Sequence, residues 1–165
     1  MALEFWKNRE KKELNEDLFS KKAEDYAKVV AEKSTMTTNN PTQLRRFFDE
    51  IVTFDSRFKM AMSKTNSKEE REQAFKQQLP FIHMLIPKVR YAEARKLVTS
   101  DFTNVIKEAV DNIKEPDDIK VFTSFFEAFI GHFKYFKEIQ SVNSYQNNQG
   151  SRGGKNAGNN NGKRY

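Results

Sequence analysis

The segment Phe125–Phe136 reads FFEAFIGHFKYF, and six of its twelve residues are aromatic. From Ile119 onward the apolar residues recur every three or four positions. This is the period of an α-helix with one buried face. The pattern predicts that the stripe packs into a core through Ile119, Phe122, Phe126, Phe129, Ile130 and Phe133.

Three residues of the same segment fall off this stripe. We expect Phe125, His132 and Tyr135 to be accessible, so that a partner molecule or a nucleic-acid base could contact them. The segment therefore predicts mainly a core helix, with a few side chains left over for recognition.

The whole chain favours one fold class, an all-α protein that forms a compact bundle of five or six helices with a disordered C-terminal tail. Helix-period stripes recur along the sequence, and no segment has the period of a strand. The charge-rich stretch Glu10–Lys33 predicts an amphipathic helix, or two. Pro80 and Pro87 each remove a backbone donor, so we expect a break or kink near each.

Helix starts are marked by capping residues. Asn40 is a suitable N-cap with Pro41 at the first helical position, and Ser67 stands three residues before Glu70 in a capping-box pattern. The sequence predicts two further starts, with Thr99 or Ser100 as one cap and Pro116 as the first residue of the last helix.

Composition divides the chain into three segments. Residues 1–37 are predicted to form an N-terminal helical segment, and residues 38–140 the helical core. Residues 141–165 contain seven asparagines and five of the six glycines, with four basic and no acidic residues. Such a composition buries too little apolar surface to offset the entropy of ordering, so we predict a disordered tail.

The remaining composition points to a soluble, cytoplasmic protein. No apolar run approaches the roughly 20 residues that a membrane-spanning helix needs, and the N-terminus mixes both charge signs without an apolar signal region. Cysteine is absent, which fits a reducing compartment.

The net charge of +6 is unevenly distributed. Residues 1–33 are neutral in sum, with eight basic and eight acidic side chains, and residues 34–140 carry seventeen basic and fifteen acidic ones. The predicted core is thus only mildly basic. Any nucleic-acid site must come from local clustering of cations.

Catalytic and metal-binding patterns are missing from the sequence, so we predict no enzyme activity, no metal and no cofactor. The two histidines, His83 and His132, belong to no HxxxH or HExxH pattern, and no phosphate-cradling glycine loop occurs. His83 lies among apolar residues in PFIHMLIP, which predicts a neutral core or boundary histidine.

Two basic clusters are candidates for phosphate contacts. Arg45 and Arg46 are adjacent, and PKVRYAEARK (Pro87–Lys96) supplies Lys88, Arg90, Arg95 and Lys96. Lys88 and Arg95 share a helix face with Tyr91 between them, an arrangement that can hold a phosphate backbone and stack a base or sugar. An ordinary solvated helix face explains the same spacing. Lys134 and Lys137 could extend the surface, with His132 and Tyr135 as further stacking candidates.

Three stretches of the chain resemble one family, the small subunit of type III-A CRISPR–Cas (Csm) effector complexes. They are QLRRFFDEI (Gln43–Ile51), PKVRYAEAR (Pro87–Arg95) and FFEAFIGHFKYF (Phe125–Phe136), which occur in the family's order across about residues 38–137. The N-terminal segment and the tail lie outside the resemblance. Gly131 and His132 replace a common Ala-Tyr pair.

The resemblance implies a non-catalytic subunit for antiviral defence. Copies would stack as a filament along the guide RNA and its target RNA, beside other subunits of the complex. Carried over by position, the RNA-binding candidates are Arg45, Arg46, Lys88, Arg95 and Lys134, whereas Arg90, Lys96 and Lys137 are added from charge alone. Stacking by the family's tyrosine would pass to His132 or Tyr135.

Other interpretations of the sequence stay open. The chain could be a helical protein–protein adaptor without RNA contact, the helical small subunit of a type III-B complex, or a hydrolase using carboxylates and a metal. The four cations of the tail could bind RNA weakly, as a hypothesis from charge: Arg152, Lys155, Lys163 and Arg164.

Overall fold

A computed structural model describes residues 3–150 of the chain, and their side chains as far as Ser144. A short antiparallel hairpin, β1 (Trp6–Asn8) and β2 (Glu13–Leu14), and a π-helical turn (Leu18–Lys22) precede six α-helices. The helices are α1 (Ala23–Glu32), α2 (Pro41–Ser63), α3 (Lys68–His83), α4 (Leu85–Ala94), α5 (Ser100–Asp111) and α6 (Pro116–Gly150). The predicted all-α class is confirmed.

Helix α6 is the central element of the bundle. It packs against α1, α2 and the π-helical turn, and its predicted stripe is buried as expected. The prediction that Phe125 is accessible was wrong. Its side chain is fully buried, with its ring 6.2 Å from the rings of both Phe5 and Tyr26. The N-terminal segment covers this side of α6, so a single stripe underestimates how much of the helix is buried.

The predicted helix starts are confirmed. The Asn40 side chain accepts a hydrogen bond from the backbone of Thr42 at 2.8 Å, and Pro41 opens α2. Ser67 Oγ accepts from the backbone of Glu70 at 3.1 Å, as a capping residue should. Thr99 precedes α5 and Pro116 begins α6, also as predicted.

Helices α3 and α4 meet at Met84, between the two prolines. Pro80 lies inside α3, while Pro87 is the third residue of α4, where no intrahelical donor is required. A predicted break is therefore present, but the helix is interrupted once, between the two prolines, and not near each of them.

The N-terminal segment differs from the prediction, because residues 6–14 form the hairpin and not a helix. Side-chain bonds to the α5–α6 region hold it. Trp6 Nε1 donates to Asp118 Oδ1 at 2.5 Å, and Arg9 forms an ion pair with Asp118 at 2.7 Å. Tertiary contacts here override a helix-forming sequence.

The C-terminal end of α6 also differs. The helix continues ten residues beyond Gln140, where the sequence predicted order to end. Residues 141–149 contain no proline or glycine, so nothing local stops the helix before Gly150. Residues 151–165, most of the predicted tail, lie outside the described part of the chain.

Candidate nucleic-acid interface

Helices α2 and α4 bring the two predicted basic clusters to one side of the molecule. The backbone N–H of Asn39 donates to the carbonyl of Leu97 at 2.9 Å, which ties the start of α2 to the end of α4. Farther along, Lys88 Nζ lies 3.0 Å from both carboxylate oxygens of Glu50. The helices therefore run antiparallel, and both clusters lie between these two ties.

On α2, the two adjacent arginines point in different directions. Arg45 is tied within its own helix, since its Nε donates to Asp49 at 2.8 Å and its guanidinium lies 5.6 Å from the Phe48 ring. Arg46 lies about 100° farther around the helix, on the same stripe as Glu50. It is exposed and has no carboxylate partner among residues 3–144.

Arg57 extends this stripe and was not among the sequence-predicted residues. It lies eleven residues after Arg46, which is close to three helical turns. Arg57 and Lys88 both line an open cleft of about 670 Å³ between α2 and the α3–α4 junction, which we call the α2–α3 cleft. The signal that would have found Arg57 is its helical register with Arg46.

On α4, the predicted face is present. Arg95 places its guanidinium 5.6 Å from the centre of the Tyr91 ring, and Tyr91 is 65% exposed. Lys88 precedes Tyr91 by three residues on the same side. A cation–π pair beside a solvent-facing ring gives both a phosphate ligand and a surface on which a base can stack.

The other two cations of this cluster are placed differently. Arg90 is exposed but lies about 200° around α4 from Lys88, so the helix points it away from Lys88. Lys96 follows the helix with a positive φ of 59°, and its carbonyl accepts from Thr38 Oγ1 at 2.7 Å. Lys96 therefore lies where the start of α2 is hydrogen-bonded to the end of α4.

We call Arg46, Arg57, Lys88, Tyr91 and Arg95 the α2–α4 surface. Within the part of the chain that the structure describes, Arg46, Arg57 and Arg95 form no ion pair, and Lys88 is neutralised by Glu50. Three unpaired guanidinium groups suit bidentate contacts with phosphate oxygens.

The candidates on α6 do not form a continuous basic surface. His132 has a ring nitrogen 3.3 Å from the carbonyl of Phe19, so it packs against the π-helical turn. Lys137 Nζ donates to Gln140 at 3.3 Å. Lys134 is exposed but shares its helix face with acidic residues four positions later and seven earlier, Glu138 and Glu127.

Tyr135 is the one stacking candidate of α6 that is largely exposed, at 59%, with its ring 5.5 Å from that of Phe136. Across residues 3–144, no hydrogen bond, ion pair or ring contact joins the α6 candidates to the α2–α4 surface. The described structure thus groups the candidates of α2 and α4 and leaves the α6 residues separate.

The prediction for His83 was wrong, because its side chain is exposed in the last turn of α3. The helix turns Ile82 and Leu85 inward and leaves the imidazole, like Phe81 and Met84, on the outside. In the described part of the chain, no three histidine, aspartate or glutamate side chains are grouped so that they could hold a metal ion. Over the same residues, none of the helices has the length and apolar character needed to cross a bilayer.

Comparison with known proteins gives one match. The model of the family described as Csm2 Type III-A matches residues 13–139, which is 127 of the 165 residues. The match begins 25 residues before the stretch that carries the sequence resemblance and therefore includes β2, α1 and the whole α2–α4 surface. No curated protein and no solved structure matches the chain.

Proposed function

The chain belongs to the Csm2 Type III-A family and so is a small subunit of the type III-A Csm effector complex, and we propose that it binds RNA phosphates in that complex without catalysing a reaction. Guide RNA and target RNA are the proposed ligands. Copies of the chain stack as a filament along the RNA, beside other subunits, in the cytoplasm.

The observation that carries this proposal is the set of cations without ion-pair partners on the α2–α4 surface. Arg46, Arg57 and Arg95 are exposed and form no ion pair in the described structure, and Arg95 lies against the exposed ring of Tyr91. Unpaired arginines need no ion pair to be broken before phosphate binds, which lowers the cost of binding.

Binding through this surface is independent of RNA sequence. Guanidinium and ammonium groups contact phosphates, which are identical at every nucleotide, and a ring stacks on any base. Pairing between guide and target already supplies sequence recognition in RNA-guided complexes. The small subunit then contributes affinity and position.

A protein-only adaptor is the second candidate function, and one feature favours it. Phe81 and Met84, at the rim of the α2–α3 cleft, are 64% and 50% exposed. Exposed apolar side chains at a cleft suit burial against a protein. This role coexists with RNA binding if neighbouring subunits cover the rim.

Titration of RNA with the full chain tests the proposal. The surface variant Arg46→Gln/Arg95→Gln removes two charges and keeps helix-forming residues. We expect it to weaken binding of labelled oligouridine and oligoadenosine alike, by about tenfold, and to lower the slope of log K against log salt by about 1.4.

A matched control removes the same charge elsewhere. Lys28 and Lys107 are exposed on α1 and α5 and form no ion pair in the described residues, so Lys28→Gln/Lys107→Gln should change binding little. Equal behaviour of the two double variants, or a loss confined to one RNA sequence, would contradict the proposal.

A further inference from the structure

A second set of cations lies at the opposite end of α2, where sequence clustering gave no signal. Seven basic side chains line two adjoining cavities between α3 and the start of α6. Lys12 and Lys59 are ion-paired, and the other five are Lys68, Arg71, Lys76, Lys114 and Lys120. The cavities have volumes of about 460 and 320 Å³, and Arg71, Pro116 and Asp117 line both. They form one continuous depression, which we call the α3–α6 cleft.

These other five cations come from separate parts of the chain. Three are on α3, one is in the loop after α5, and one is on α6. They form no cluster in the sequence, so the sequence does not predict that these five side chains lie close together. The fold alone brings them together, because α3 lies across the start of α6 beside the end of α2.

The charge balance of the cleft favours an anion. All five cations are exposed, and none forms an ion pair within residues 3–144. Three of the four acidic residues along the cavities are already paired: Asp55 with Lys59, Glu115 with Arg9, and Asp117 with Lys12. Glu72 is the remaining acidic residue among those lining the cavities.

The α2–α3 cleft beside the α2–α4 surface makes a useful contrast. Its lining carries two acidic and two basic residues, Asp49, Glu50, Arg57 and Lys88, so its charges cancel. Its rim also exposes Phe81 and Met84. The α3–α6 cleft is the more positive of the two and the less apolar at its surface.

The floor of the α3–α6 cleft distinguishes phosphate from a protein partner. Its aromatic residues, Phe58 and Phe75, are 5% and 6% exposed, so they offer neither a stacking ring nor apolar area to bury. A protein interface gains much of its affinity from such area. Phosphate binding requires only the cations, and those are exposed and unpaired.

We propose that the α3–α6 cleft is a second RNA-backbone site of this chain, separate from the α2–α4 surface. Arg57 and Lys59 belong to different sites and lie about 160° apart around α2, so the two sites face different sides of that helix, and Arg46 lies about 20 Å along it from Lys59. The proposal takes RNA as the partner from the proposed function and adds a second point of contact. Because the two aromatic rings that line the cleft are buried, the cleft binds phosphates and stacks no base.

The experiment uses the full chain and labelled oligouridine over a salt series. The cleft variant Arg71→Gln/Lys76→Gln keeps the helical propensity of α3 and removes two charges. We expect about tenfold weaker binding and a salt slope lower by about 1.4, since each phosphate contact on a single strand contributes about 0.7. A second cleft variant, Lys114→Gln/Lys120→Gln, lies outside α3 and should give the same loss.

The other variants separate the two claims. If both cleft variants bind like the Lys28→Gln/Lys107→Gln control while the surface variant loses affinity, the second site is wrong and the α2–α4 surface stands. If only the cleft variants lose affinity, the second site stands alone. Unchanged RNA binding together with loss of a co-purifying protein would assign the cleft to a protein, and absence of RNA binding by the unaltered chain would overturn both sites.

Discussion

At Gly131 on α6, the residue has a low helix propensity although packing does not require a glycine. Gly131 is exposed in the middle of this helix, and a Cβ atom built there meets no other atom within 4 Å. Glycine therefore costs backbone entropy here without a steric reason for its presence. The neighbouring His132 contacts the π-helical turn, so the two adjacent residues lie in different surroundings.

Replacing Gly131 with alanine should stabilise the protein. We expect Gly131→Ala to raise the free energy of unfolding by about 0.5–1 kcal/mol, because alanine restricts the unfolded chain and fits the helix. Urea unfolding followed by circular dichroism measures the change. A lower midpoint for the variant would show that a contact at this position depends on the absent side chain.

Tyr26 makes stability depend on alkaline pH. Burial, and then the hydrogen bond that Tyr26 Oη donates to Glu108 at 2.6 Å, raise the pKa of the phenol well above its usual value near 10. The folded state holds this proton more tightly than the unfolded state. The stabilisation is therefore fully present below about pH 10 and is lost as the pH rises toward the folded-state pKa.

Tyr26→Phe tests this linkage. Over the range above about pH 10, the free energy of unfolding should fall less steeply for the variant than for the unaltered chain, since the phenol no longer titrates. Denaturant unfolding at several alkaline pH values gives the two slopes. Equal slopes would remove Tyr26 as the cause.

At the scale of elements, the hairpin is fixed by one buried carboxylate. Asp118 is fully buried and accepts from Trp6, from Arg9 and from the backbone N–H groups of Lys114 and Glu115, the last two at 2.7 and 2.9 Å. It thus caps α6 and anchors β1 with the same two oxygens.

Removing this carboxylate should loosen the hairpin. We expect Asp118→Ala to cost about 2–4 kcal/mol, because it leaves several part-buried donors and the Arg9 charge without their acceptor. The exposed neighbour Asp117, which pairs with Lys12, is the control, and Asp117→Ala should have a much smaller effect. Thermal unfolding compares them, and similar losses would contradict the role of Asp118.

The ion pair between α2 and α4 predicts that one substitution should strengthen RNA binding, whereas the variants of the α2–α4 surface should weaken it. Glu50 neutralises Lys88 on the α2–α4 surface. Glu50→Gln frees this cation and should tighten oligouridine binding about two- to fivefold, with a steeper salt dependence. Glu138→Gln makes the same charge change on α6, away from the surface, and serves as the control. Weaker binding by Glu50→Gln would place the RNA elsewhere.

The sequence predicted elements better than contacts. Helical periodicity and capping residues such as Asn40 and Ser67 act locally, so the α2 and α3 boundaries could be read directly. The hairpin at residues 6–14 could not, because its stability depends on Asp118, more than a hundred residues away. For the same reason the cations of the α3–α6 cleft became candidates only when the fold brought distant segments together, whereas the register of Arg57 with Arg46 on α2 is a local signal.

At the scale of the whole molecule, the net charge is only mildly positive, but basic side chains cluster at the α2–α4 surface and in the α3–α6 cleft. The chain belongs to a family of complex subunits, and in its described part α6 packs against α1, α2 and α3 while α4 packs against α5 and α3. Helix α2 connects the proposed sites, with the α2–α4 surface near its start and the α3–α6 cleft near its end. The distance of about 20 Å along α2 between Arg46 and Lys59 would set the spacing of two contacts with one RNA.

One measurement tests the central claim most directly, which is that this small subunit contacts RNA inside the assembled complex. The full chain, tagged, is purified from a host expressing the neighbouring genes, and the bound RNA is extracted and sized. The account predicts RNA of one discrete guide length together with several other subunits. Recovery of the chain without RNA and without such subunits would contradict it, and the adaptor function would replace it.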